Sequence, residues 1–179
     1  LCVAASVALC LFAAANGKPA FAKPLTTTGD FITVSGTDTT SGAALALTSS
    51  DITRLSASDD SRKASDGNWP MNGAYDETRY IEFAFNPNIP AGQTVSDVII
   101  THEFRRSGVL TAAKLKVFEA DTNVWHDETL TLPSTSDSDI SQDINVSAYI
   151  NSVADVNGLK IRFLAYRSTS VSSITTSHD

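Results

Sequence analysis

The sequence predicts an all-β protein: a single antiparallel β-sandwich with one short helix, preceded by a signal peptide. Three observations lead there. Runs rich in β-branched and aromatic residues recur along the chain with alternating polarity, each closed by Gly, Pro, Asn or Asp. Only one stretch carries helical spacing. Strand runs that follow one another without intervening helices pack as a sandwich or barrel rather than as a parallel sheet.

The chain opens on an apolar run, Leu1 to Ala15, then a polar break closed by Ala20-Phe21-Ala22. Signal peptidase takes small side chains at two alternate positions, so residues 1–22 read as a signal peptide. The run is shorter than the roughly 20 apolar residues that a membrane-spanning helix needs. A lipoprotein signal is disfavoured, because Leu9 stands before Cys10 where a small residue is expected. Residues 23–30, Thr-rich with Pro24, read as a flexible lead-in. Residues 31–179 read as the β-sandwich domain, expected to be truncated at its C-terminus because His178-Asp179 carry no turn or cap.

Within the domain, Phe31 to Ser35 is a β-branched run ended by Gly36, and Ala43 to Leu47 reads as a short strand. Arg79 to Asn86 puts Ile81, Phe83 and Phe85 on one face, and Pro87 and Pro90-Ala91-Gly92 end it. Thr94 to Arg105 is long, with Val98, Ile100 and His102 on one face. Lys114 to Glu119 places Leu115 and Val117 inward and Lys114, Lys116 and Phe118 outward. Asp121-Thr122-Asn123 then makes a hairpin turn, and the return runs from Trp125 to Leu132. Val146, Tyr149, Ile150 and Val153 fall at helical spacing, with Asn145 or Ser147 as the cap. Asn157-Gly158 turns into a strand from Leu159 to Tyr166, and Val171 to Thr175 reads as the last strand.

Removing the first 22 of 179 residues leaves 157, one domain with enough buried surface to need no disulfide or metal staple. Cys2 and Cys10 lie in the removed segment, so the remaining chain has no thiol. Lys18 also leaves, so 13 Lys and Arg become 12 against 20 Asp and Glu. That balance argues against nucleic acid, whose affinity rests on Lys and Arg neutralising phosphates. It also disfavours an anionic membrane surface, and no membrane span remains after signal cleavage. The expected location is secreted or cell-surface.

The strongest chemical candidate is an acidic loop with Asp59, Asp60, Asp66, Asn68 and Asp76. Calcium takes six to eight oxygen ligands from such mixed carboxylate and amide loops. Asp, Asn and Gly are also ordinary turn formers, and Asp66-Gly67-Asn68 lacks the spacing of an EF-hand. Trp69, Tyr75 and Trp125, with Tyr166, would stack on sugar rings if they share a face. The competing reading makes them packing residues, Trp125 above all because it follows a hairpin turn. His102, His126 and His178 show no paired metal spacing, and His126-Asp127-Glu128 fits a solvated strand end. The chain contains no Gly-x-Ser-x-Gly, His-Glu-x-x-His or phosphate loop.

Tyr80-Ile81-Glu82-Phe83-Ala84-Phe85, followed by Ile89-Pro90-Ala91-Gly92-Gln93-Thr94-Val95-Ser96-Asp97-Val98, resembles the jelly-roll modules of bacterial and phage surface proteins. These are similar in turn to galactose-binding-like domains, which include many carbohydrate-binding modules. The resemblance spans Leu55 to Asp179 and rests on framework motifs. It implies a jelly-roll-like sandwich, often with a structural calcium, and a last core strand after the final His-Asp. It carries over no ligand-binding residue.

Three functions fit. The first is a non-catalytic structural or adhesive module of a bacterial surface or extracellular protein, with other surface-protein domains or a glycan as partner. The second is a carbohydrate-binding module whose loop calcium steadies. The third is a fragment of a secreted hydrolase, the least favoured, because no catalytic motif stands out.

Overall fold

A computed structural model describes residues 4–10, 25–27, 33–55, 63–64, 69–134, 138–167 and 174–178. Two antiparallel sheets form the sandwich. The first contains β1 (Ala4–Cys10), β2 (Leu25–Thr27), β5 (Lys63–Ala64), β7 (Thr94–Arg106), β10 (Asp139–Asn145) and β12 (Thr176–His178). The second runs in the order β4 (Leu45–Ala46), β3 (Thr33–Asp38), β6 (Ile81–Phe85), β11 (Lys160–Tyr166), β8 (Ala112–Glu119), β9 (Val124–Leu130). Two short helices, α1 (Ser49–Leu55) and α2 (Val153–Asn157), connect strands. The expected all-β sandwich architecture is present.

Period-two alternation places the core. Ile81, Phe83 and Phe85 of β6 face inward, as do Leu115 and Val117 of β8 and Ile161 and Phe163 of β11. From the other sheet β7 contributes Val98, Ile100, His102 and Phe104, all fully buried. Phe104 and Phe163 meet across the interface with ring centroids 5.1 Å apart. Leu110, Val146, Ile150, Leu159 and Ile174 from the loops and Val156 from α2 close the core.

Several boundaries differ from the sequence expectation. Ala4–Cys10, inside the predicted signal segment, forms a strand on β7 in the whole chain, and Leu25–Thr27, inside the lead-in, pairs with it. The strand ended in expectation by Gly36 runs through it to Asp38. Gly36 is there because the sheet leaves no room: an added Cβ would sit 2.1 Å from the Glu82 carbonyl oxygen. The helix expected over 146–153 is a single turn, with Ile150 N donating to Val146 O at 2.9 Å. The helix proper begins after Ser152, whose side chain caps Asp155 N while Asp155 caps Ser152 N in return. Ser147 instead donates to Asp97 and accepts from Val98 N. Thr48 and Asp51 make the same reciprocal cap ahead of α1, a helix for which the sequence expectation has no counterpart. β10 was likewise unforeseen. Of the expected last strand, 171–173 lie outside the described residues, and pairing is seen at Thr176–His178.

Turn chemistry follows expectation in the β8–β9 hairpin, where Asn123 takes a positive φ of 58°. Asn157 pins the Ile89 loop with both ends of its amide, accepting from Ile89 N at 2.7 Å and donating to Ile89 O at 2.9 Å. Arg106, buried at the end of β7, donates to Pro133 O at 2.8 Å and to Gly108 O.

The core holds two histidines. His102 Nε2 lies 3.2 Å from His178 Nδ1, and His178 Nε2 lies 3.1 Å from Thr176 Oγ1. Phe83, Phe104 and Phe163 surround the pair with ring centroids 4.5 to 6.3 Å from the imidazoles. Nδ1 of His102 is buried with no partner. Burial disfavours the charged form and pushes the His102 imidazole down to about 3, against 6.5 when free. Below pH 6.5 the unfolded chain therefore binds a proton that the folded chain refuses. Stability is full above 6.5 and falls as pH drops towards 3, by up to roughly 4 kcal/mol. Urea unfolding at pH 7, 5 and 3 is expected to show this loss. His102→Gln, which keeps a hydrogen-bonding side chain, is expected to remove most of it; parallel pH profiles for the two proteins would exclude His102 as the cause.

Candidate functional site

The loop between β5 and β6, residues 69–80, is fastened to the sandwich at both ends. Trp69 is buried, its ring edge-on to Phe163 with centroids 5.4 Å apart. Its carbonyl oxygen accepts from Arg167 Nε at 3.2 Å, and Pro70 O accepts from Arg167 N at 2.9 Å. At the far end Thr39 brackets Tyr80: Thr39 Oγ1 donates to Tyr80 O and accepts from Tyr80 N at 2.7 Å. Between these anchors the loop folds on its own side chains. Asn72 Oδ1 accepts from Ala74 N, and Asp76 Oδ1 accepts from Thr78 N at 2.9 Å and from Thr78 Oγ1 at 2.6 Å.

This folding opens a groove of about 490 Å³ lined by Trp69, Pro70, Met71, Asn72, Asp76, Arg79 and Arg167. Arg79 sits across it, with Nε 3.6 Å from Asp76 Oδ2 and Nη1 donating to Thr40 O at 3.2 Å. The Thr78 hydrogen bonds and the Arg79 charge hold the Asp76 carboxyl below its usual range, so it is ionised at neutral pH. Trp69 Nε1 is buried with no hydrogen-bond partner. The wall thus combines an apolar ring, a thioether, an amide, a carboxylate and two guanidinium groups.

Beside the groove lies the outer face of the second sheet. Lys114, Lys116 and Phe118 of β8 point outward, and the register sets Phe118 opposite Trp125, Lys116 opposite Asp127 and Lys116 opposite Arg162. Tyr75 reaches this face from the loop. It meets Tyr166 edge-on at 4.8 Å, with Lys114 Nζ 4.6 Å from the Tyr75 centroid. Burial raises the Tyr75 phenol, and its neighbour Tyr166 adds to the rise. Lys114 Nζ pairs with Glu77 at 3.0 Å and Asp127 at 2.8 Å, and Lys116 Nζ with Glu77 at 2.7 Å. Burial works against the charged form of Glu77 and of Asp127, but hydrogen bonds from the two lysines outweigh it and hold both carboxyls low. Arg162 lies 4.1 Å from the Tyr80 ring and 4.2 Å from the Trp125 ring while pairing with Glu82 at 2.7 Å. Phe118 packs on Trp125, and Lys160 reaches over Phe118.

The aromatic residues therefore do not form one set. Tyr75, Trp125 and Tyr166 share the outer face, whereas Trp69 is in the core. The expectation that Trp125 was the core member is reversed, because its register position opposite Phe118 directs it outward. Of the five calcium candidates, Asp59, Asp60, Asp66 and Asn68 lie outside the described residues, and Asp76 stands at the groove. Among the described residues, no three His, Cys, Asp or Glu come together as a metal site. No helix among them is long and apolar enough to cross a membrane.

Strand alternation splits His126-Asp127-Glu128. Asp127 joins the lysines outside, while His126 and Glu128 face the opposite way, towards Tyr149. His126 stacks on the Tyr149 ring at 4.0 Å and lies 2.7 Å from Glu119 Oε2, and the Tyr149 hydroxyl donates to Glu128 at 2.8 Å. Burial, helped by Glu128, raises the Tyr149 phenol. The pleat thus sets three residues adjacent in sequence on two faces, and only Asp127 is as exposed as a solvated strand end would be.

The two tryptophans of the chain are thus distinguishable in solution. Trp125→Phe is expected to leave a single blue-shifted emission that acrylamide hardly quenches. Strong quenching of the remaining Trp69 would contradict its place in the core. No protein-family model, no curated protein and no solved structure matches the chain.

Proposed function

We propose that the chain is a non-catalytic β-sandwich module of an exported bacterial surface or extracellular protein, adhesive through the groove formed by residues 69–79 and Arg167, with a glycan as its ligand. The observation that carries this reading is the lining of that groove. An open cleft of about 490 Å³ beside a tryptophan, with Asn72, Asp76, Arg79 and Arg167 on its wall, offers both donors and an acceptor to ring hydroxyls. Loops mounted on a rigid sandwich are also where recognition residues concentrate.

A purely structural module is the second reading, favoured by the outer sheet face. There the lysines, Arg162 and the aromatic rings already satisfy one another. That face would stabilise the sheet and bind nothing. A glycan array probed with the whole chain separates the two. Binding that drops about 10-fold or more in Asn72→Ala and Asp76→Asn, yet survives in Trp125→Ala, supports the groove. A blank array leaves the structural reading.

Calcium at the acidic loop is part of the same proposal, with Asp59, Asp60, Asp66, Asn68 and Asp76 as its ligands. A cation bound only to the folded chain raises the melting midpoint with its concentration. The expected result is a midpoint lowered by EDTA and restored by calcium. A midpoint indifferent to both returns Asp76 to plain turn chemistry with Thr78.

A further inference from the structure

β7 is the strand on which the first sheet assembles, since β1, β10 and β12 all pair with it. β10 takes one side, from Ile99 to Arg105. The other side is shared end to end. β12 covers Phe104 to Arg106 and β1 covers Thr94 to Thr101, both antiparallel to β7. Only His102 and Glu103 separate their footprints. Two segments from opposite ends of the chain thus fill one strand position. Apart from β7, β1 pairs only with the three-residue β2 among the described residues. Its sequence, Ala-Ala-Ser-Val-Ala-Leu-Cys, has no charge and no proline, so it suits a ladder made by main-chain hydrogen bonds.

We propose that the Thr94–Thr101 edge of β7 is a strand-accepting site and that Ala4–Cys10 is a separable strand which fills it. Main-chain pairing supplies the affinity, and the register, Val7 opposite Val98 and Cys10 opposite Thr94, sets the alignment. A shift between Ala8 and Leu9 lets the strand follow the twist of β7. Separability follows from the segment's place in the chain. It belongs to residues 1–22, which read as a signal peptide, and removing them uncovers the same edge. An uncovered edge presents a row of unpaired N–H and C=O groups to any extended segment. The inference stands independently of the groove, which lies on the other sheet.

Two experiments on the whole chain test it. Paired residues on antiparallel strands have Cα atoms about 4.5–5.5 Å apart, within disulfide reach. Thr94→Cys under mild oxidation is therefore expected to link to Cys10. No link, or a link to Cys2 instead, overturns the proposal. In the second experiment, Val7→Pro removes a ladder donor from β1 and obstructs its pairing. Amide exchange is expected to accelerate about 10-fold or more within Thr94–Thr101, and a synthetic Ala4–Cys10 peptide is expected to slow it again. Unchanged exchange, or no effect of the peptide, overturns the proposal. Protection that returns through dimerisation without peptide gives the position to a second copy, and also overturns it. If Val7→Pro fails to fold, the Cys10 link decides alone.

Discussion

The contact between Phe104 and Phe163 is the point from which the rest of the molecule is positioned. These rings join β7 to β11, the long strand of one sheet to the central strand of the other, across a 5.1 Å centroid separation. His102 and His178 complete the same layer, and Trp69 closes it from the loop. Aromatic side chains bury large areas with defined edge and face preferences, so a layer of this kind fixes the angle between sheets as well as their distance. The groove depends on it directly. Trp69 is held by Phe163, Arg167 grips the Trp69 and Pro70 carbonyl oxygens, and the loop that lines the groove begins there.

β11 shows how one strand serves both sides of the sandwich. Ile161, Phe163 and Ala165 pack inward, whereas Arg162 and Tyr166 face outward into the ring and charge ladder. A slip of one residue would bury Arg162 and expose Phe163. The outer ladder therefore reinforces the register that the core requires. Its ion pairs are partly buried, with Lys114, Lys116, Arg162 and Glu82 each shielded by the neighbouring rings and stems. Collectively they make the alternative register worse.

The legible parts of the fold are those where burial on one face writes an alternation into the sequence. β6, β7, β8 and β11 were readable for this reason, each with three or more inward apolar residues in step. β10 was not, because Asp139-Ile140-Ser141-Gln142-Asp143-Ile144-Asn145 offers only two isoleucines and none of its residues is fully buried. The apolar spacing of Val146, Tyr149 and Ile150 satisfied a helical template, yet a single turn packing onto the core has the same spacing. The better signals were the reciprocal caps, Thr48 with Asp51 and Ser152 with Asp155, which mark both true helix starts. The place of Trp125 was also recoverable. Phe118 reads as outward-facing, and counting across Asp121-Thr122-Asn123 puts Trp125 opposite it. Trp69 carried no such parity, because nothing in a loop's sequence says which sheet residue its ring will meet.

The contrast between ladder and groove bears on where this molecule has binding energy to offer. A ligand approaching Trp125 must displace Arg162 from its face, and one approaching Lys114 must compete with Glu77, Asp127 and the Tyr75 ring. Each exchange gives up an interaction already made, so the net gain is small. The groove residues are engaged as well, Asp76 with Thr78 and Arg79, and Arg79 with Thr40 O, but within the loop and the chain that anchors it. Main-chain carbonyl oxygens of Trp69 and Pro70 hold Arg167, and local turns hold Asn72 and Asp76. Its geometry is thus prepared before any ligand arrives. On the proposed glycan reading, these preorganised polar groups are the part of the molecule that a small hydroxylated ligand would meet.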